Sequence, residues 1–202
     1  MTLSASASTP PASPAPVSAL IASLARPAPA RTPFAEARFM RVLDRPLLAA
    51  GELAWLGGDR LERTLTAPHA ERASIADGVV TQQREGRAPR SFSLQRAPQL
   101  QLLLDSFVAL LGGDPARLQQ AFTIELQGDA AGAWSLLLTP RDAQLARSVA
   151  SLRIDGQAQQ PRCLQLREPD GDLAIDLLGP LAARMPAVPS REALAQLCER
   201  HD

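Results

Sequence analysis

Lysine, asparagine and tyrosine are absent from the 202 residues, and the remaining aromatic residues make up only 3% of the chain. All 21 basic residues are therefore arginine, a bias that a GC-rich genome imposes through codon choice and that carries no functional message. Nor is one sign of charge in excess. The 21 acidic residues cancel the 21 basic ones, so no net field draws nucleic acid or an anionic membrane surface, and nucleic acid is not an expected partner. Cysteine occurs twice, as Cys163 and Cys198, far from C-x-x-C spacing and too sparse to ligate zinc or an iron–sulfur cluster. The two thiols can form one disulfide or serve as two small apolar residues; compartment and distance decide, and the sequence gives neither. Histidine is equally scarce. His69 follows Pro68 between two strand candidates and reads as a turn residue, and His201 is penultimate, so a His-based metal site or a Ser-His-Asp apparatus has little to build on. No metal and no cofactor are expected. Long apolar runs are missing too: none approaches the roughly 20 residues of a membrane-spanning helix. With 46% hydrophobic residues and a mean hydropathy of −0.06, the chain reads as globular rather than as a disordered polyelectrolyte.

What is present divides unevenly. Residues 1–16 (MTLSASASTPPASPAP) offer too little apolar surface to pack and too many prolines for a helix, and are expected to be disordered; residues 17–202 are expected to form a single domain. A secretory signal would place basic residues ahead of an apolar run of about 7–15 residues. Here the first arginine is Arg26, the best run, Val17 to Ala25, contains two serines, and Ala28-Pro29-Ala30 only loosely imitates a cleavage site. A short helix with Val17, Leu20, Ile21 and Leu24 on one stripe is the preferred reading.

From Phe34 the apolar period becomes two, and turn signals follow every eight to twelve residues or so, the pattern of an antiparallel all-β body. Strand candidates are Phe34–Val42, Leu47–Trp55, Leu61–Thr66, Arg72–Ala76, Val79–Arg84 and Arg90–Gln95, then Phe122–Gln127, Ala133–Thr139, Val149–Ile154, Arg162–Glu168 and Leu173–Leu178. Asp77-Gly78, Asp155-Gly156 and Asp170-Gly171 are read as the turns, since glycine supplies positive φ and aspartate bonds its own backbone. A calcium loop at Pro169–Asp172 has the wrong ligand count, and a hairpin is expected there.

Between the two groups of strands, Leu100, Leu103, Leu104, Phe107, Val108 and Leu111 repeat at helical spacing and form a broad apolar stripe that must lie on a sheet face. Gly112-Gly113 ends that helix, and Asp114 with Pro115 starts a second. A third, Arg191–Glu199, closes the chain. Leu47, Ala49, Gly51, Leu53 and Trp55 share one side of a strand, as do Phe122, Ile124 and Leu126, and Leu173, Ile175 and Leu177, which predicts one greasy face and one wet face. A sheet of about eleven strands is large enough to curl, and three short helices either plug its hollow or leave a cavity.

The order of the Val17–Ala25 helix, FAEARFMRVLDRPLLAAGELAWLGGDRLERTLTAP, IADGVV, the Leu-rich helix, LLGGDPARLQQAF, WSLLLTP, SLRIDGQ and EPDGD resembles the LolA-type lipoprotein carriers and their LolA-like relatives over about Val17 to Leu178. The resemblance implies a mainly β fold, an unclosed antiparallel barrel of about eleven strands lidded by short helices. It also implies a non-enzymatic function: an apolar cavity that carries lipoprotein acyl chains, or another lipid, through the Gram-negative periplasm from an inner-membrane transporter donor to an outer-membrane acceptor, as a monomer. LolB-type members are anchored through an N-terminal cysteine; no cysteine precedes Cys163, so a free carrier is the nearer match. The family's Arg-Pro pair before the third strand is replaced by Gly57-Gly58-Asp59, with Arg60 one step beyond, and its lid latch cannot be carried over. The lack of an evident signal sequence keeps a cytoplasmic location as the alternative to the periplasm. The alternative function is that of an accessory protein in lipid or aryl-polyene pigment export, with a non-lipoprotein hydrophobic cargo.

On this reading Leu100, Leu103, Leu104 and Phe107 are a lid facing a cavity floored by Leu53, Trp55, Phe92, Ile124, Trp134 and Leu136. At roughly 0.8 kcal/mol per buried CH₂, a sixteen-carbon chain represents about 12 kcal/mol of gross binding from contact area alone, with no catalytic group required. An enzyme would have to draw on Glu52, Asp77 or Glu125, which fall in a turn or on wet strand faces. A partner-binding module would use a sheet edge or the 179–202 tail, whose Ala193, Leu194 and Leu197 stripe is better explained by docking on its own sheet.

Overall fold

The computed structural model describes residues 14–199. Eleven strands form one antiparallel sheet: β1 Ala30–Phe39, β2 Leu47–Gly57, β3 Arg60–Ala67, β4 Glu71–Ala76, β5 Val79–Arg84, β6 Arg90–Ser93, β7 Phe122–Gly128, β8 Ala133–Pro140, β9 Ser151–Gln157, β10 Gln160–Arg167 and β11 Leu173–Leu178. Four helices accompany them, α1 Pro14–Ser23, α2 Pro98–Leu111, α3 Pro115–Ala121 and α4 Arg191–Glu199. The strand order is β6-β5-β4-β3-β2-β1-β11-β10-β9-β8-β7, so two meanders are zipped together by β1 against β11, and the edges β6 and β7 stay unpaired with each other. The sheet is therefore an unclosed barrel, as the resemblance implies, built from the eleven antiparallel strands that the periodicity predicts.

Local chemistry sets the ends of the helices. Pro14 and Pro16 fit the first turn of α1, where a helix has no use for their missing N–H groups, so the helix starts three residues ahead of Val17. The lead-in before Pro14 lies outside the described residues, as does His201. Asp114 caps α3 by accepting from the Arg117 amide at 3.0 Å, with Pro115 at the first helical position. Gly113, at φ 66°, ends α2 so close to α1 that an added Cβ would stand 2.7 Å from Ala25 Cβ. The Asp77-Gly78 turn has positive φ at both residues, 51° and 69°, as a tight hairpin requires.

Three expectations need correction. Asp155-Gly156 is not a turn: both residues lie inside β9, and the chain reverses at Ala158 and Gln159 instead. Asp155 is buried and accepts from Ser135 Oγ, Arg153 Nε and Gln165 Nε2, while Gly156 leaves room for the Trp134 indole. Second, the sheet is not greasy on one face and wet on the other throughout. The cross-strand pairs carry Leu53 and Phe34 to the same face as Leu178, Leu164, Ile154 and Leu136, which puts Leu173, Ile175 and Leu177 on the opposite one. Third, α4 does not help to fill the hollow. With the turn Gly179–Arg184 it covers that opposite, outer face, where Leu194, Cys198 and Leu181 join Ala37, Cys163, Leu173, Ile175 and Leu177 in a second core. Burial of Leu173, Ile175 and Leu177 under α4 and that turn accounts for the apolar outer face of β11.

Cys163 and Cys198 are bonded, with Cα atoms 5.7 Å apart, so α4 is stapled to β10. Closing a loop of 35 residues' separation removes denatured-state entropy worth about 3–4 kcal/mol.

Candidate functional site: a half-covered concave face

The main core explains where the inner face is covered. Val17, Leu20, Ile21 and Leu24 of α1, Ala109 and Leu110 of α2, and Leu118 and Ala121 of α3 pack on Phe122, Trp134, Leu136, Leu138, Leu152 and Ile154 of β7–β9. Helical coverage is thus concentrated on one meander. On the other, Leu53, Trp55, Leu61, Leu65 and Ile75 share the inner face by register, are half-buried, and belong to neither core. Phe92, opposite Val80 near the free edge, keeps 38% of its surface exposed.

Helix α2 shows the same division. Leu102, Leu103 and Phe107 pack against the main core, together with Ala109 and Leu110. Leu100, Leu104, Val108 and Leu111, at i, i+4, i+8 and i+11, form a second apolar strip that is half-buried and outside both cores. Only Gln101 and Asp105 interrupt this girdle on the remaining side, and they bond to each other at 3.0 Å. A helix apolar around most of its circumference needs a partner on each side, and here one side has the sheet.

The ten residues expected to meet cargo therefore separate into groups. Trp134 and Leu136 are buried beneath the helices, and Leu103, Phe107 and Ile124 are partly buried against the same core. Leu53, Trp55, Phe92, Leu100 and Leu104 lie outside it. Leu61, Leu65 and Ile75 belong beside Leu53 and Trp55 on the concave face, an addition to the ten that the alternation in β3 and β4 signals. Two clefts flank this surface. One of about 970 Å³, at the α1 end, is lined by Leu20, Ala131, Ala158, Arg162, Leu178 and Leu181 among others; the other, of about 370 Å³, adjoins the start of α2 at Leu94, Pro98 and Leu102. None of the ten expected residues lines either cleft.

Polar groups on the concave face include the Glu71–Arg84 ion pair on β4 and β5, Arg38 on β1, and a cluster of three on β1, β3 and β11. Glu36 and Asp176 are direct partners across β1 and β11, so their carboxyl groups are neighbours on one face, and Arg63 Nη2 reaches over from β3 to Glu36 Oε2 at 2.8 Å. Gly51, opposite Phe34 on the intervening strand, has no Cβ because the Thr64 carbonyl of β3 takes that place, and the Arg63 guanidinium lies 4.8 Å from the centre of the Phe34 ring. Burial, and then the charge of Glu36, push the Asp176 carboxyl from 3.8 up to about 8, against the opposing pull of Arg63. The triad was legible only as a lone acid in an apolar strand. The acids and bases considered for catalysis lie elsewhere: Glu52 pairs with Arg31 at 2.6 Å, while Asp77 and Glu125 are exposed.

The family model described as outer membrane lipoprotein carrier protein LolA-like matches residues 9–201. The chain belongs to this LolA-like family. Among solved structures, a LolA superfamily protein from Nitrosomonas europaea is 11% identical over 81% of this chain and 90% of its own, with a TM-score of 0.40. MucB is 16% identical over 88% of this chain and 61% of its own (TM-score 0.43), and the Pseudomonas aeruginosa MucA/MucB complex contains a chain 16% identical over 90% and 59% (TM-score 0.40). The present LolA-like chain thus spans about three-fifths of those two MucB-related chains. Arg60, the nearest arginine to the place of the family's Arg-Pro pair, donates to Leu56 O at 2.9 Å and Gly57 O at 3.4 Å, within its own hairpin.

Proposed function

We propose that this LolA-like protein is a non-enzymatic carrier that shelters the acyl chains of a lipoprotein or another lipid against the concave face of β2–β6 and the outer strip of α2. The observation that carries the reading is the uneven coverage: helices bury the inner face of β7–β9, while Leu53, Trp55, Leu61, Leu65 and Ile75, and the strip Leu100, Leu104, Val108 and Leu111, have no core partner. Hydrocarbon is the guest that such a surface favours, because contact area alone supplies the affinity. Release follows if α2 swings to cover the same surface, since lid and cargo compete for it.

The Cys163–Cys198 bond supports a periplasmic location, because structural disulfides persist in oxidising compartments and are rare in the bacterial cytoplasm. In that compartment the donor is an inner-membrane transporter and the acceptor lies at the outer membrane. The test is native mass spectrometry of protein purified from its own host, followed by titration with a fluorescent fatty acid and its methyl ester. A co-purifying acylated peptide or lipid supports the carrier and names the cargo, and a polyene assigns the chain to pigment traffic. Protein that is bare and takes up neither a fatty acid nor its methyl ester overturns the proposal.

A further inference from the structure

The polar triad lies between the helix-covered part of the concave face and the Leu53, Trp55 and Ile75 part, away from the Glu71–Arg84 pair on β4 and β5, and its chemistry selects among cargoes. Asp176 stands one strand from Leu164, which packs on the helical core, and Glu36 stands one strand from Ala49; Arg63 pairs with Leu53 on its own side of the sheet. Between them the inner-face positions are small, Ala49, Gly51, Ala73 and Ala174, so the sheet has a shallow floor there. Arg63 has five N–H donors; the bond from Nη2 to Glu36 is the one it makes among the described residues, and its side chain is 37% exposed. Stacking on Phe34 and the carboxylate fix the guanidinium in place, so its remaining donors are held ready at little further entropic cost.

We infer that Arg63, held by Glu36 and Asp176, is the polar anchor of the concave face and takes an uncharged carbonyl-bearing head, an ester or an amide, of a lipid whose chain lies along Leu53, Trp55 and Ile75. This rests on the carrier reading and deepens it. At neutral pH Asp176 holds its proton, so one carboxylate faces one guanidinium and the triad carries no net charge. A carbonyl oxygen accepts from Arg63 without disturbing that balance. A fatty-acid carboxylate would sit beside Glu36, and an ammonium beside Arg63, each meeting like charge in a poorly hydrated wall.

The test is displacement of an apolar fluorescent dye, N-phenylnaphthylamine, at pH 7 by methyl laurate, laurate and dodecylamine. The readout is how the ester-to-acid ratio changes between wild type and variants, which cancels the ligands' intrinsic difference in solubility. Arg63→Leu is expected to weaken methyl laurate about tenfold, as the loss of one hydrogen bond to a charged donor implies, and to raise the ratio, because laurate loses the same donor and then faces an unbalanced Glu36 carboxylate. Glu36→Gln frees the guanidinium and is expected to move the ratio about tenfold the other way, toward the acid, with dodecylamine weakened. An unchanged ratio in both variants, with dye still bound, overturns the anchor and leaves the carrier standing. Failure of the wild type to bind dye or any of the three ligands overturns both.

Discussion

The Trp134 indole lies against Gly156, its cross-strand partner on β9, so closely that a Cβ on the glycine would stand 2.2 Å from Cζ2 and 2.7 Å from the Gln160 carbonyl oxygen. The ring is fixed from its other end as well, because Nε1 donates to Ala158 O at 2.6 Å. Gly156→Ala therefore cannot be absorbed by a rotamer change in a flexible side chain. It is expected to cost about 1–3 kcal/mol, the usual range for overpacking, and to lower Tm by several degrees in a calorimetric scan. A neutral result would mean that the indole leaves its place without penalty.

That contact also explains what the sequence could and could not reveal. Turn chemistry and alternation made eleven strands legible, with Val79–Arg84 and Leu173–Leu178 placed to the residue, because both features are local. Asp155-Gly156 misled because the same dipeptide that favours a hairpin also suits a strand in which aspartate is bonded by three side chains and glycine makes room for a ring. The site was legible by half. A stripe as broad as that of α2 announced two partners, but which leucines face the sheet depends on the helix's rotation about its axis, and that is set by packing with α1 and α3. The Glu36, Arg63 and Asp176 cluster joins three strands whose neighbourhood follows only from β1 pairing with β11, a contact between opposite ends of the chain.

The disulfide makes α4 a dependent element. Nine residues are too few for a helix to persist alone in water, and Leu194 and Cys198 are its buried anchors. Cys198→Ser, or reduction of the wild type, is expected to cost about 3–4 kcal/mol and to raise amide exchange across residues 191–199 before the remainder of the sheet. Hydrogen exchange with and without reductant measures this. Protection of α4 that is unchanged after reduction would show that apolar docking alone holds the helix.

Leu104 and Phe107 separate binding from folding on one helix. Phe107 packs against the main core, so Phe107→Asp buries a charge against apolar side chains and is expected to lower Tm sharply. Leu104 is half-buried outside that core, and Leu104→Asp is expected to leave Tm within a few degrees while weakening fatty-acid binding about tenfold or more. Thermal melts and a fluorescence titration on the same preparations check both. Full affinity in a folded Leu104→Asp protein would remove the outer strip of α2 from the cargo surface.

Asp176 gives the fold a pH dependence with a definite sign. Its carboxyl is protonated in the folded state up to about pH 8 and ionises near 3.8 once exposed, so between those values the unfolded chain holds fewer protons than the folded one. Stability from this group is therefore full below about pH 4, declines as pH rises, and levels off above about 8. Asp176→Asn keeps an amide able to hydrogen-bond Glu36 and removes the ionisation. The Tm of the variant minus that of the wild type is expected to be smallest near pH 4, to grow by several degrees toward pH 8, and to stay constant beyond. Melts at one-unit intervals from pH 4 to 10 test it, and a difference that is flat across that range would mean that Asp176 titrates as an ordinary carboxylate despite its place in the wall.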